Sequence, residues 1–418
     1  MQPTPLNAEY HAMKKQSPVT YPSYQADSPQ VCGVGKIGWL HNLATKAGLD
    51  SYLPRPSHGL GLTVVLIASL FCLWFSDYLI DLSNGKLLGL SSLTLAILLG
   101  MLLGNTVYPR FAAPLSSGVD FAKSQCLRLA IVLYGFKVTL TQVASVGSAA
   151  IAIDALVLTS TFLLTYILGH KWLKLDKQTT LLIGAGSSIC GAAAVIATEP
   201  VVKAEAYKVT IAVATVVVFG TLAMLLYPLL YQLQWLAATL GAEQYGVYIG
   251  STVHEVAQVV VAGNAISTEV GNTAVVTKMI RVMMLAPFLL ILSFVLSGIH
   301  NNVNPNDSLA LKPTKTNFWQ RAKQVHIPWF AFMFLVMIGI NSLLHHTQSA
   351  SSAHFVELMV SLDNLLLTMA MFALGLTTHF SAIKKAGFKP LLLAALVFGW
   401  LLSGGAAINM GIQTLVVG

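Results

Sequence analysis

The chain has 418 residues, 55% of them hydrophobic and 10% charged, with mean hydropathy +0.71 and a formal net charge of +8. Soluble domains carry about 25% charged residues, so the composition excludes an ordinary soluble protein and predicts an all-α polytopic membrane protein. The positive balance does not indicate nucleic acid, because the Lys and Arg excess lies in short loops, where it sets orientation in the bilayer.

Residues 1–58 are polar, lack the apolar core of a cleavable signal peptide, and read as a cytoplasmic tail. Within them, 35–48 has apolar positions at helical spacing between lysines, the pattern of a short interfacial helix or a plain linker helix. Residues 59–418 form the transmembrane domain. Runs of about 20 apolar residues, enough to cross a bilayer, occur near 60–80, 87–107, 123–142, 148–169, 179–199, 209–233, 246–264, 272–299, 328–345, 355–378 and 390–414. That is about eleven spans. With the N-terminus inside, Arg110, Lys123, Lys171, Lys174, Lys177, Lys312, Lys315, Arg321, Lys323, Lys384, Lys385 and Lys389 fall in or beside cytoplasmic loops. Only Lys86, Lys203 and Lys208 fall on the other side, so the charge asymmetry predicts N-terminus in and C-terminus out. The four cysteines, Cys32, Cys72, Cys126 and Cys190, show no paired spacing and read as free thiols.

Two apolar runs are interrupted by similar segments 64 residues apart: Gly186-Ser-Ser-Ile-Cys-Gly-Ala-Ala-Ala-Val-Ile-Ala197 and Gly250-Ser-Thr-Val-His-Glu-Val-Ala-Gln-Val-Val-Val261. Paired interrupted segments are the best sequence pointer to a transporter's binding site. A sparser match links Leu133–Gly147 to Ala373–Gly387. With eleven crossings, the second pair runs in opposite directions, as an inverted repeat requires, but the first pair runs in the same direction. A simple inverted duplication does not predict that combination.

The candidate solute ligands are Gly186, Ser187, Ser188 and Gly191 in the first breaker and Ser251 and Thr252 in the second. Exposed backbone N–H groups at a half-helix start would cradle an anion, although small residues also serve plain helix packing. Lys278 and Arg281, nearly one turn apart on one helix face, suit an oxyanion path; pairing with a carboxylate or snorkelling are the alternatives. His254, Glu255, Gln258 and Asp363 are the ion-coupling candidates, because ionisable groups at membrane depth are functional by default. Glu255 or His254 would carry a proton, or Glu255 with Gln258 would offer oxygens to Na+. Lys137 and Asp154 read as a buried structural pair, and Asp363-Asn364 as a local break or an ion ligand. Glu199-Pro200 reads as a helix end. The stretch His254-Glu-Val-Ala-Gln258 is not a zinc-protease motif, since Gln258 stands where the second histidine is needed.

The two breakers, together with Val276-Thr-Lys-Met-Ile-Arg-Val-Met-Met284, resemble the YeiH-like inner-membrane family, whose members are described by inference as sulfate exporters. The resemblance covers roughly residues 35–418. Phe372-Ala-Leu-Gly-Leu376 is more distantly similar to a helix end in the bile acid/arsenite/riboflavin transporter superfamily. Those resemblances imply two crossing broken helices in a core domain that moves against a panel domain, in the bacterial inner membrane. The expected function is secondary active transport of a small anion, sulfate-like or organic, coupled to H+ or Na+, with no other cofactor and no enzymatic activity. The alternatives are a passive anion channel, or an intramembrane enzyme using Ser187 or Ser188 with His254. The expected partners are a small anionic solute, the lipid bilayer and, left open, a second copy in a homodimer.

Overall fold

Each of the eleven apolar runs carries helix in the computed structural model, which describes residues 55–82, 91–234, 236–300, 328–347, 350–378 and 386–417. The expected interfacial helix at 35–48 lies outside the described residues. The helices are α1 (Gly59–Leu82), α2 (Ser92–Thr106), α3 (Tyr108–Phe121), α4 (Leu127–Leu133), α5 (Leu140–Tyr166), α6 (Lys177–Ser188), α7 (Ala192–Val202), α8 (Ala206–Gln232), α9 (Ala237–Thr252), α10 (Val256–Asn264), α11 (Thr268–Met283), α12 (Leu285–His300), α13 (Trp329–Thr347), α14 (Ala350–Thr377) and α15 (Phe388–Val417). Among the described residues, six stretches are long and apolar enough to cross a membrane: 56–79, 149–172, 206–232, 268–296, 351–377 and 388–412. Large apolar side chains such as Trp74, Leu102, Leu163, Ile196 and Phe294 are exposed, which a lipid-facing surface allows and an aqueous one disfavours.

The two interrupted runs do not cross; each folds back on itself. In the first, α6 stops at Ser188, Ile189-Cys190-Gly191 turn, and α7 returns. Gly191 has φ +77° and ψ −138°, a conformation that excludes most side chains. The return is proved by its base, where Gln178 Nε2 donates to the carbonyls of Val202 (3.3 Å) and Lys203 (2.9 Å), 24 and 25 residues on. Near the tip, a Cβ on Gly186 would lie 2.6 Å from Val195 Cγ2. The arms hold 12 and 11 residues, about 18 and 17 Å at 1.5 Å per residue, so each spans roughly half of a 30 Å core.

The second hairpin is built by α9, the turn Val253-His254-Glu255, and α10. Both arms pack on α11. Gly246 meets Val270 and Thr273, and Gly250 meets Ala274 and Thr277, so α9 runs parallel to α11. Gly263 meets Gly271, so α10 runs back down it. Glycines let these backbones approach closely, the usual device between helices in lipid.

Helix α8 fixes how the two hairpins relate. At its start, Lys208 Nζ lies 3.2 Å from Asp176 Oδ1 and donates to Gln178 Oε1 at 2.8 Å, at the base of the first hairpin. At its end, the Tyr231 and Tyr245 rings stack edge-on 4.9 Å apart, near the base of the second. The 27 residues of α8 span about 40 Å. The hairpins therefore enter from opposite ends of one crossing helix. The expectation that the Gly186 and Gly250 segments run in one direction is thereby corrected: they enter from opposite ends, as inverted copies do. Lys203 and Lys208 also move to the end that carries Lys171, Lys174 and Lys177, which sharpens the charge asymmetry. The orientation of the termini follows from that asymmetry alone.

Around the hairpins, α1 to α4 and α14 pack together. Helices α2 and α14 run parallel through glycine contacts: a Cβ on Gly100 would lie 2.4 Å from Phe372 O, and one on Gly104 2.5 Å from Leu376 O. Phe372–Leu376 is thus a close-packing site inside α14, which runs to Thr377 without a break at Asp363-Asn364. Pro200 likewise does not end its helix; α7 continues to Val202, and Lys203 closes it at φ +53°.

Candidate functional site

The hairpin tips meet beside one turn of α11. A helix end leaves its last carbonyls unpaired and partly negative, and α6 and α9 both end here. Two cations meet them. Lys278 Nζ donates to Ile189 O (2.7 Å) and Val253 O (2.6 Å). Arg281 donates from Nε to Ser188 O (2.7 Å) and from Nη1 to Ser251 O. Each tip lends one carbonyl to each cation. Both side chains are fully buried, so the pair expected to line an anion path instead holds four backbone carbonyls. Asp154 on α5, also fully buried, supplies negative charge that acts on Arg281 and Lys278. It does not pair with Lys137, as expected from sequence.

The opposite charge arrangement occupies the other two ends. Glu255 is the N-cap of α10, with φ −108° and ψ 148°, and its own N–H is accepted by Gln258 Oε1 at 3.1 Å. Its carboxylate reaches across to the start of α7, where Ala192 donates its N–H to Oε1 at 3.3 Å. Gly191 makes this contact geometrically possible: a Cβ there would lie 2.3 Å from Glu255 Cγ. One carboxylate thus faces the positive ends of two half-helices. Of Asp154, His254, Glu255, Lys278 and Arg281, only Glu255 is not fully buried.

The remaining predicted residues divide clearly. Ser187 and Ser188 are buried at the first tip, Ser188 Oγ donating to Ala185 O at 3.4 Å. Ser251 Oγ donates to Tyr248 O (3.1 Å), and Thr252 Oγ1 accepts the Tyr227 hydroxyl (2.7 Å). Gly186 faces Val195 of α7 and Val216 of α8. His254 is buried in the second turn; its Nδ1 has no hydrogen-bond partner, and its ring lies 6.4 Å from that of Phe398. Among the described residues, no hydrogen bond joins His254 to Ser187 or Ser188. Gln258 lies over Gly220 of α8. Asp363 belongs elsewhere: its Oδ2 forms an ion pair with Lys137 Nζ at 2.7 Å, and Lys137 also donates to Asn364 Oδ1 at 2.7 Å. That pair ties the short turn after α4 (Tyr134–Lys137) to α14, not to the tips.

Asn409 was missed by the sequence reading. It donates to Ser251 Oγ (3.2 Å) and Gly405 O (2.8 Å), so α15 is tied to the second tip. The available signal was an amide in an apolar span, one turn after Gly404-Gly405. Tyr227, Tyr245 and Tyr248, whose rings lie 5.0 to 5.6 Å apart behind the second tip, carried no such signal.

This fold defines a polytopic membrane protein with paired, opposed re-entrant hairpins. The family model described as "Conserved hypothetical protein 698" matches residues 61–394, and the chain belongs to that family. It is 55% identical over 330 residues to the "UPF0324 inner membrane protein YeiH" of Escherichia coli (strain K12), covering 78% of this chain and 88% of the relative. The protein of that name from Salmonella typhimurium is 54% identical over 328 residues, covering 78% and 88%. The "UPF0324 membrane protein PM1461" of Pasteurella multocida is 52% identical over 326 residues, covering 78% and 90%. No solved structure matches. The chain is accordingly an inner-membrane protein of the YeiH-like family.

Proposed function

We propose that this protein is a secondary active transporter that moves a small anion across the inner membrane by alternating access, coupled to H+ or Na+, and that it is not an enzyme. The observation that carries this reading is the meeting of two inverted hairpin tips beside Lys278 and Arg281 of α11, near the middle of the apolar stretch 268–296. A site near the middle of a crossing stretch is what a carrier needs. The half-helix starts at Ala192 and Val256 offer N–H groups to an anion, and Glu255 is the accessible ionisable group among them. A solute anion would compete with the Glu255 carboxylate for the Ala192 N–H, and a proton on Glu255 would relieve that competition. Anion and proton then bind together. The sulfate-like class of solute comes from the family resemblance.

The test has two stages. Purified protein is screened for thermal stabilisation by sulfate, sulfite, thiosulfate, sulfonates and organic acids, since ligands of the folded state raise its stability. A stabilising anion is then assayed for flux into proteoliposomes under imposed pH or Na+ gradients. The reading expects saturable, gradient-driven flux, lost in Glu255→Gln while the unfolding midpoint is kept. Non-saturating flux indifferent to both gradients would make the protein a channel.

A further inference from the structure

The carbonyls that hold Lys278 are equivalent in the internal repeat. Ile189 and Val253 each stand three residues after the matched glycines, Gly186 and Gly250, and Lys278 Nζ bridges them at 2.7 and 2.6 Å. The ammonium therefore sits where the two copies of one motif face each other. Carbonyls at the ends of half-helices and in unwound turns are the groups that coordinate a small cation in broken-helix transporters. Here that seat is built from backbone of both tips, fully buried, and filled by a charge on the chain itself. Arg281 fills the neighbouring pair of carbonyls, Ser188 and Ser251. A free cation at these four carbonyls would meet two like charges already seated on them.

We propose that Lys278 is a tethered substitute for a monovalent metal cation at the junction of the tips. The tips then assemble without Na+, and removing the amine converts the seat into a Na+ site. The seat itself stands on this geometry. Its consequence, that the coupling ion is H+, rests on the carrier reading above.

The unfolding midpoint of the full chain in detergent is measured in NaCl, KCl and choline chloride at equal ionic strength. The wild type should give one midpoint in all three salts. Lys278→Ala should unfold several degrees lower in choline and recover part of that loss saturably in NaCl. Lys278→Met, which fills the space without a cation, should stay destabilised in every salt. A saturable Na+ stabilisation of the wild type, a Lys278→Ala protein indifferent to Na+, or equal rescue of Lys278→Met would each overturn the proposal. If Lys278→Ala accumulates only when expressed and purified in NaCl, the gained site is shown by that requirement. If it accumulates in neither salt, Lys278→Gln is judged by the criteria set for Lys278→Ala. None of these readings uses transport, so failure here leaves the carrier reading standing, and absence of flux leaves the seat standing.

Discussion

Gly191 and Glu255 share one contact that neither residue explains alone. Glycine at φ +77° is required by the turn, and its bare Cα leaves room for the Glu255 side chain. Gly191→Ala should therefore suffer twice, from backbone strain of about 1–3 kcal/mol and from overlap with Glu255 Cγ. Adding Glu255→Ala should recover the overlap but not the strain. A double-mutant cycle on unfolding midpoints, with a coupling of roughly 0.5–3 kcal/mol for residues in contact, checks this; strict additivity would mean that the two do not meet. The residue identities of the site were largely readable in advance, because an ionisable or glycine-rich step inside an apolar run is conspicuous. Partners were not. Lys137 pairs with Asp363, 226 residues away, and the charge of Asp154 acts on Arg281, and no spacing rule links positions so distant in the chain.

The first hairpin is closed at its base by polar groups at the membrane edge. Asp176 caps α6, accepting the Thr179 N–H at 3.1 Å, and pairs with Lys208 at 3.2 Å. Partial burial alone would raise its carboxyl pKa, but the Thr179 hydrogen bonds and Lys208 outweigh that and hold it below the usual carboxylate range. A depressed folded pKa means that the stabilisation is complete above the unfolded value and is lost as pH falls through the folded one. Asp176→Asn should cost about 0.5–1 kcal/mol, the low end for a cap because the side chain is half exposed. Its midpoint difference from wild type should vanish in acid; a constant difference across pH would remove the carboxylate from the account. At the α2–α14 crossing, Gly375→Leu has no space, since even a Cβ would lie 2.4 Å from Ile97 O. It should lower the unfolding midpoint strongly, whereas Gly399→Leu, with nothing within 4 Å of its Cβ position, should barely change it.

At the scale of the whole molecule, hydropathy located the long apolar helices but not α3, which fills the stretch 108–121 between two runs with polar and Pro-containing sequence, and it could not tell a crossing from a fold-back. A 26-residue stretch such as Lys177–Val202 is long enough for either. What separates them is where the ends lie, and the sequence held one clue. Lys203 and Lys208 were, with Lys86, the only lysines that a straight crossing put on the sparsely charged side. The hairpin returns them to the base of α6, where Lys208 meets Asp176. The inverted relation of the Gly186 and Gly250 segments, which straight crossings would hide, follows from the same correction.

Membrane-sided cysteine labelling tests that geometry most directly. In an active, cysteine-free background, single cysteines replace the exposed residues Lys174, Lys203, Gln234 and Glu269, and intact and inverted vesicles are treated with an impermeant thiol reagent. Opposed hairpins predict that positions 174 and 203 react from one face and 234 and 269 from the other. If position 203 reacts from the face opposite 174, and 234 from the face opposite 269, both segments cross the membrane and the meeting of the tips is lost with them.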